Sequence, residues 1–209
     1  PEALKNYFLR LGWSMGNDEI FTGENMKQSF QLGILNKSPA TFSMDKLLWF
    51  NKYYLDQMSI DQLIEAVPLK DFDGGEYSKT VVKTVRDRCS TLNDFSSNAD
   101  YFFKDPGNYD QSLVLKYSKK DTSNHLFLLK EQLKELKNWE QIHIKQVIDK
   151  VVSDLEIGFG KIGLPLRLAL TAKVNSPSID LVCEILGKES TIRRLENFLI
   201  RIQGLKTDQ

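Results

Sequence analysis

Three features of the 209-residue sequence predict an all-α fold. Apolar residues recur at helical spacing: Ile144, Val147, Ile148, Val151, Val152 and Leu155 form one stripe, and Ile192, Leu195, Leu199 and Ile202 form another. Period-2 alternation of strand-forming residues is scarce. Ser59-Ile-Asp-Gln62 fits a capping box, in which the serine oxygen and the glutamine side chain each satisfy an orphan backbone amide at a helix start.

Taken in order, LKNYFLRL is amphipathic and predicts a first helix over about residues 2–11. Gly12 follows it, where glycine can take the left-handed terminating conformation and let Trp13 fold back onto the helix. Further helices are expected over about 24–31, 44–57, 59–67, 77–91, 94–103 and 122–137, then along the 144–155 stripe. LPLRLAL in the 160s is amphipathic, and helices over about 178–186 and 192–202 follow it. Asp71-Phe-Asp-Gly-Gly75 and Asp105-Pro-Gly-Asn108 combine residues that tolerate turn dihedrals, so both read as surface loops. Asn175-Ser-Pro-Ser178 breaks one helix and starts the next, with Ser178 as N-cap and Pro177 suited to the extended approach. No internal repeat or low-complexity linker is visible, so the expected body is compact, slightly elongated and multi-helical.

Composition narrows the function classes. With 41% apolar residues the chain can fill a core without disulfides or a structural metal. Cys89 and Cys183 lack a Cys-x-x-Cys partner or a nearby His, so both read as buried reduced thiols of a cytoplasmic protein. Apolar runs such as LFLL at 126–129 fall far below the roughly 20 residues that cross a bilayer. The start PEALKNYF has neither a basic n-region nor a cleavage site, and it reads as the interior of a longer protein. Net charge is zero, which argues against a polyanion partner until its distribution is considered. Residues 1–76 carry 7 Lys/Arg against 11 Asp/Glu, whereas residues 158–209 carry 8 against 5, so the basic excess lies at the C-terminal end.

Catalytic equipment is missing from the sequence. His125 and His143 are its two histidines, and neither lies in a metal-binding or nucleophile-activating pattern. His143 sits between apolar residues, as a core or boundary histidine does. Asp71 and Asp73 flank a turn and do not read as a carboxylate dyad, and no Gly-rich phosphate loop follows a strand.

The segment GKIGLPLRLALTAKVNSPSIDLVCEILGKESTIRRLENFL, residues 160–199, resembles the anticodon-reading end of bacterial glutamyl-tRNA synthetases. NYFLRLGWSMGNDEIFTGENMKQSFQLGILNKSPATFSMDKLLWFNKYYL, residues 6–55, resembles the same family just downstream of its catalytic domain. TVVKTVRDRCSTLNDFSSNADYFFKDPGNYD, residues 80–110, is similar to the family's helical middle, though more loosely. The resemblance implies a stem-contact subdomain over 1–57, then an anticodon-binding domain whose helical subdomains span 58–127 and 128–209. It also implies a parent class I enzyme that attaches glutamate to tRNA-Glu using ATP and magnesium. The family's His-Ile-Gly-His-like and Lys-Met-Ser-Lys-Ser-like strings do not occur here, so the chain is expected to be a monomeric, non-catalytic reader without a cofactor of its own. Its expected partner is tRNA, with neither DNA nor membrane.

Unpaired anticodon bases can be stacked on planar groups and hydrogen-bonded along their edges. Arg167 is the sole charged residue between Lys161 and Lys173, and its planar guanidinium can both stack and donate paired bonds. Taken alone, it reads first as the polar position of an amphipathic helix that points to water. By resemblance it contacts anticodon bases. Ser176, Pro177 and Ile179 then supply a hydroxyl, a packing ring and an aliphatic wall, and free amides at such a helix start can meet phosphates. Thr171 and Lys173 are further candidates, in a loop that varies in the family: Ala172 stands where many members carry glycine. Lys37, Ser38 and Lys46 are candidate backbone contacts of the stem-contact part, each also readable as a solvated side chain. Arg86 and Arg88 lie two apart and cannot both face RNA. Ser90 is small in the region where the family excludes the glutamine anticodon, which predicts relaxed discrimination between tRNA-Glu and tRNA-Gln. Two other readings fit the residues: a helical protein–protein scaffold, and the tail of a related tRNA-dependent enzyme.

Overall fold

The computed structural model describes residues 1–12, 18–21, 23–29, 41–68, 72–119 and 121–207. Trp13, Asp71, Lys37 and Ser38 lie outside the described residues. Among those described, eleven α-helices and one 3-10 turn occur, and no strand. The helices form two compact units, residues 1–97 and 98–209.

In the first unit, α1 (Glu2–Gly12) packs against α3 (Met44–Gln57), while α2 (Gly23–Ser29) lies between them in sequence. Ala3, Tyr7 and Phe50 form the buried contact, flanked by Leu11, Ile20, Leu47 and Tyr54. Asn6 is wholly buried there and bonded at both ends of its amide: its Nδ2 donates to the Glu19 carbonyl at 2.7 Å, and its Oδ1 accepts the Phe21 amide at 2.8 Å and the Tyr54 hydroxyl at 3.1 Å. Gly12 takes no left-handed φ; it is simply the last residue of α1.

The capping box at Ser59 is present, with Ser59 Oγ accepting the Gln62 amide and Gln62 Oε1 accepting the Ser59 amide at 2.8 Å. It starts α4 (Ile60–Ala66), which packs on α5 (Glu76–Val85). The turn between them uses Asp73, whose Oδ1 accepts the Gly75 amide and the Ser78 hydroxyl; these bonds hold its carboxyl below the usual range. The helix expected over 77–91 is shorter: it yields to a 3-10 turn, Arg86–Arg88, and Cys89 is extended. A second reciprocal cap explains the interruption. Thr91 Oγ1 accepts the Asp94 amide at 3.3 Å, while Asp94 Oδ2 accepts the Ser90 and Thr91 amides at 2.8 Å, so α6 (Leu92–Phe103) begins two residues earlier than expected. Burial opposes ionisation of Asp94, but those amide bonds outweigh it and hold its carboxyl low.

The second unit contains α7 (Gln111–Tyr117), α8 (Thr122–Glu135), α9 (Gln141–Asp154), α10 (Gly160–Thr171) and α11 (Ile179–Thr207). Helix α11 packs on α8, α9 and α10. Leu129, Ile148, Leu166, Val182, Leu195 and Phe198 are among the side chains buried by this arrangement. Two helices were expected over 178–202, and α11 is indeed broken at Gly187, whose φ of 78° and ψ of 163° belong to a region essentially reserved for glycine. Lys188 follows the break, and its Nζ caps the end of α8 by donating to the carbonyls of Lys134 at 2.6 Å and Leu136 at 2.8 Å.

Candidate nucleic-acid interface

The junction from α10 to α11 is built from the backbone outward. Ala172 adopts a left-handed conformation (φ 54°, ψ 16°), and its amide closes α10 on the Leu168 carbonyl at 2.8 Å. This is the position where many members of the resembling family carry glycine; here alanine itself takes the left-handed conformation. Thr171 is 2% exposed: its Oγ1 donates to the Arg167 carbonyl at 2.8 Å and accepts the Lys173 amide at 3.1 Å. The threonine therefore ends the helix from inside.

Arg167 is half-buried one turn earlier. Its Nη1 reaches the Ser176 carbonyl at 2.9 Å, the Pro177 carbonyl at 2.7 Å and the Ser176 hydroxyl. Helix and loop are thus tied together by one guanidinium. The sequence turns the Ser176 hydroxyl outward, whereas the structure turns it inward: Ser176 is 6% exposed and its Oγ donates to the Pro177 carbonyl at 2.8 Å. Pro177 and Ile179 are also buried. The cause is common to all three, because a chain reversing between two packed helices must satisfy its polar groups locally and place its apolar ones in the core. Lys173 stays at the surface, with its Nζ 2.7 Å from Asp100 Oδ1 and over the Tyr101 ring at 5.5 Å.

The start of α11 is braced from the neighbouring helix. Trp139 Nε1 donates to the Cys183 carbonyl at 2.8 Å, and the Gln141 amide donates to Glu184 Oε1 at 2.7 Å. Gln141 Nε2 reaches Asp180 Oδ2 at 2.7 Å and Ser178 Oγ at 3.4 Å. Ser178 was expected as N-cap, and its carbonyl does open the helix by accepting the Val182 amide. Burial pushes the Cys183 thiol up, so it stays protonated and inert, and Cys89 is likewise buried and free of any disulfide.

Sequence reasoning missed a second arginine centre. Arg194 is 3% exposed, and its Nε meets Asp105 Oδ1 at 2.9 Å while Nη1 donates to the carbonyls of Tyr101 at 2.7 Å and Leu170 at 2.8 Å. Arg193 adds a bidentate contact to the same carboxylate, at 2.9 and 3.0 Å. Hydrogen bonds from Arg193 and Arg194 hold the Asp105 carboxyl below its usual range, against its partial burial. Asp105, read as a turn former, is therefore also the counter-ion that lets Arg194 cap the ends of α6 and α10. No local sequence pattern signals this centre.

The first unit holds the remaining candidates. Lys46 is exposed near the start of α3, with its Nζ 3.1 Å from Glu19 Oε2, and this lysine lowers the Glu19 pKa. Arg86 is half-buried: its Nη2 donates to the carbonyls of Leu55 at 2.9 Å and Met58 at 2.8 Å, which caps α3. Arg88 is exposed. Ser90 is half-buried, and its carbonyl accepts a bond from Asn51 Nδ2. His143 lies at the boundary, 3.4 Å from Glu140. Among the described residues no three His, Cys, Asp or Glu side chains gather in a way that could hold a metal ion, and no helix is long and apolar enough to cross a membrane.

The second unit is thus a helical body in which an arginine in the last turns of α10 is pinned to the loop that leads into α11. The chain belongs to the anticodon binding domain family, whose model matches residues 51–199. Its curated relatives include the glutamate–tRNA ligases of Ruthia magnifica, 37% identical over 206 residues, and Vesicomyosocius okutanii, 39% identical over 206 residues; each match covers 94% of this chain and 44% of the relative. The chain therefore spans less than half the length of those relatives. Among solved structures it is similar to a glutamate–tRNA ligase of Elizabethkingia meningosepticum in complex with its amino acid (28% identity, TM-score 0.80, 95% of this chain and 41% of that one). The glutamate–tRNA synthetase of Elizabethkingia anophelis is also similar (29%, TM-score 0.77, 95% and 40%).

Proposed function

We propose that the chain is the tRNA-reading portion of a cytoplasmic, monomeric glutamate–tRNA ligase and that it recognises tRNA-Glu. Attachment of glutamate, with ATP and magnesium, belongs on this reading to a part of the enzyme outside these residues. The observation that carries the reading is Arg167: a half-exposed guanidinium fixed on the Ser176–Pro177 backbone, within the region matched by the anticodon binding family. A planar donor held still at a surface loop loses little entropy on meeting a base. Thr171, Ser176, Pro177 and Ile179 set the shape of the loop from within, and Lys173 adds positive charge beside it. Lys46 with Lys37 and Ser38, in the stem-contact part, contributes contacts to the RNA backbone, and Arg88 contributes in the helical middle. Arg86 serves there as a helix cap. The three functional segments are 1–57, 58–127 and 128–209.

Titration of the chain with tRNA-Glu across rising salt tests the reading. Phosphate contacts release counterions, so affinity is expected to fall steeply with salt. A chain that binds no RNA at low salt is a scaffold instead. We also propose, from the small Ser90, that discrimination against tRNA-Gln is relaxed. A strong preference for the glutamate anticodon over the glutamine one in the same titration removes that part alone.

A further inference from the structure

We propose that the pocket enclosed by the end of α7 and the starts of α8 and α10 binds a backbone phosphate of RNA. The proposal rests on the tRNA reading above and adds to it a second contact, at the opposite end of α10 from the Arg167 loop.

Lys116, Lys119 and Lys161 converge on this pocket with His125, against the single carboxylate of Asp121. Its volume is about 200 Å³, several times the roughly 30 Å³ that one water takes in the liquid, so it has room for a phosphate group. All three lysines are exposed, and among the described residues none of them makes an ion pair; Lys116 Nζ lies instead 5.3 Å from the Tyr117 ring centre. Elsewhere the lysines divide: Lys83, Lys137 and Lys150 also make no ion pair among the described residues, whereas others do. Lys46, Lys52, Lys79, Lys130, Lys134, Lys145 and Lys173 each sit within 4.0 Å of an Asp or Glu carboxylate. Gathering three unpaired ammonium groups around one concavity costs mutual repulsion, which an anion seated between them relieves. Helices α8 and α10, of 14 and 12 residues, both begin at this pocket, and their positive dipole ends add to the field. Asp121 and the carbonyl end of α7 oppose it, and are outnumbered.

Lys161 and Arg167 lie on one helix, interrupted in its backbone bonding at Pro165, and the pocket and the loop lie about 15 Å apart along its axis. One RNA can therefore meet the pocket through its backbone and the loop through its bases. The first contact would carry affinity without sequence preference, and the second would carry preference.

The test compares the 209-residue chain with the triple variant Lys116→Ala, Lys119→Ala, Lys161→Ala, the charge reversal Lys161→Glu, and Arg167→Ala. Each is titrated with tRNA-Glu and with an anticodon-altered transcript between about 50 and 200 mM salt. The expected result is at least about a tenfold loss of affinity in the triple variant, a salt slope shallower by about one to two, and an unchanged ratio between the two transcripts. Lys161→Glu should weaken binding in the same uniform way. Unaltered affinity and slope in the triple variant, while the parent chain binds tRNA, overturns the pocket and leaves the tRNA reading standing. Absence of binding by the parent chain overturns both. In a parallel NMR titration, amide shifts at Lys161 and His125 caused by inorganic phosphate but not by tRNA would assign the pocket to free phosphate and overturn the RNA contact. Melting curves confirm folding of each variant, since exposed lysines contribute little to stability.

Discussion

Arg167 and Arg194 perform the same act, capping backbone carbonyls at a helix end, in two different settings of the second unit. Arg194 is buried, meets the Asp105 carboxylate at 2.9 Å, and ties together the ends of α6 and α10. Arg167 is half-exposed and holds a surface loop by the carbonyls of Ser176 and Pro177. A buried guanidinium without its carboxylate would be prohibitively costly, so Arg194 is paired with Asp105, which it shares with the more exposed Arg193. The second holds its charge where solvent and a ligand can reach it. The difference teaches that arginine content alone does not locate a binding site; the setting of each arginine does.

The comparison breaks first at Arg194→Ala. Removing the side chain takes the guanidinium bonds from the buried Tyr101 and Leu170 carbonyls and the inner partner from Asp105, at a cost of about 3 kcal/mol or more. Denaturant midpoints measure this, and the preference among anticodons should not move. A loss below about 1 kcal/mol would show that the knot is not structural. Arg167→Ala should act mainly on recognition: about 1–3 kcal/mol in binding, concentrated on anticodon discrimination, with a further stability loss of about 1 kcal/mol or more because the Ser176 and Pro177 carbonyls it frees are buried. Equal binding of cognate and altered anticodons before and after the substitution would take Arg167 out of the site.

Acid sharpens the contrast. The folded Asp105 carboxyl lies below the ordinary value of about 3.9, so its contribution is present above that pH and is lost as pH falls through the folded value. Asp105→Asn should therefore make stability less dependent on pH in the acid limb of a melting series, with no matching effect from Arg167→Ala. The smallest effect is expected at Lys46→Ala: all tRNAs weaken about equally, the salt slope changes by about one, and stability barely shifts since the Glu19 pair is exposed.

Local signals carried most of the fold. The Ser59 box and the apolar stripe at 144–155 were visible because their chemistry is complete within a few residues. Helix α7 escaped because seven residues with one fully buried side chain, Val114, show no period, although Asp110 announces it as an N-cap bonded to the Ser112 and Leu113 amides. The end of α5 at Val85 was hidden by a cap that looks ordinary in sequence, Thr91 with Asp94. At the candidate interface, the resemblance singled out Arg167, Ser176 and Pro177, but not the bonds between them nor the inward turn of the Ser176 hydroxyl. Arg194 was illegible for a different reason: Asp105 stands 89 residues before it, and no local pattern reports a partner that distant.

The broken helix α11 has a consequence for the order in which the second unit assembles. Its later half supplies Leu195, Phe198 and Ile202 to the core, Arg194 to the ends of α6 and α10, and Glu196 to Lys134 across 62 positions of sequence. Such distant pairings form late, because the loop they close must first be searched. During synthesis the loop that presents Arg167 is therefore completed before its foundation, and it acquires a fixed shape only once residues 194–202 have left the ribosome and closed the unit behind it.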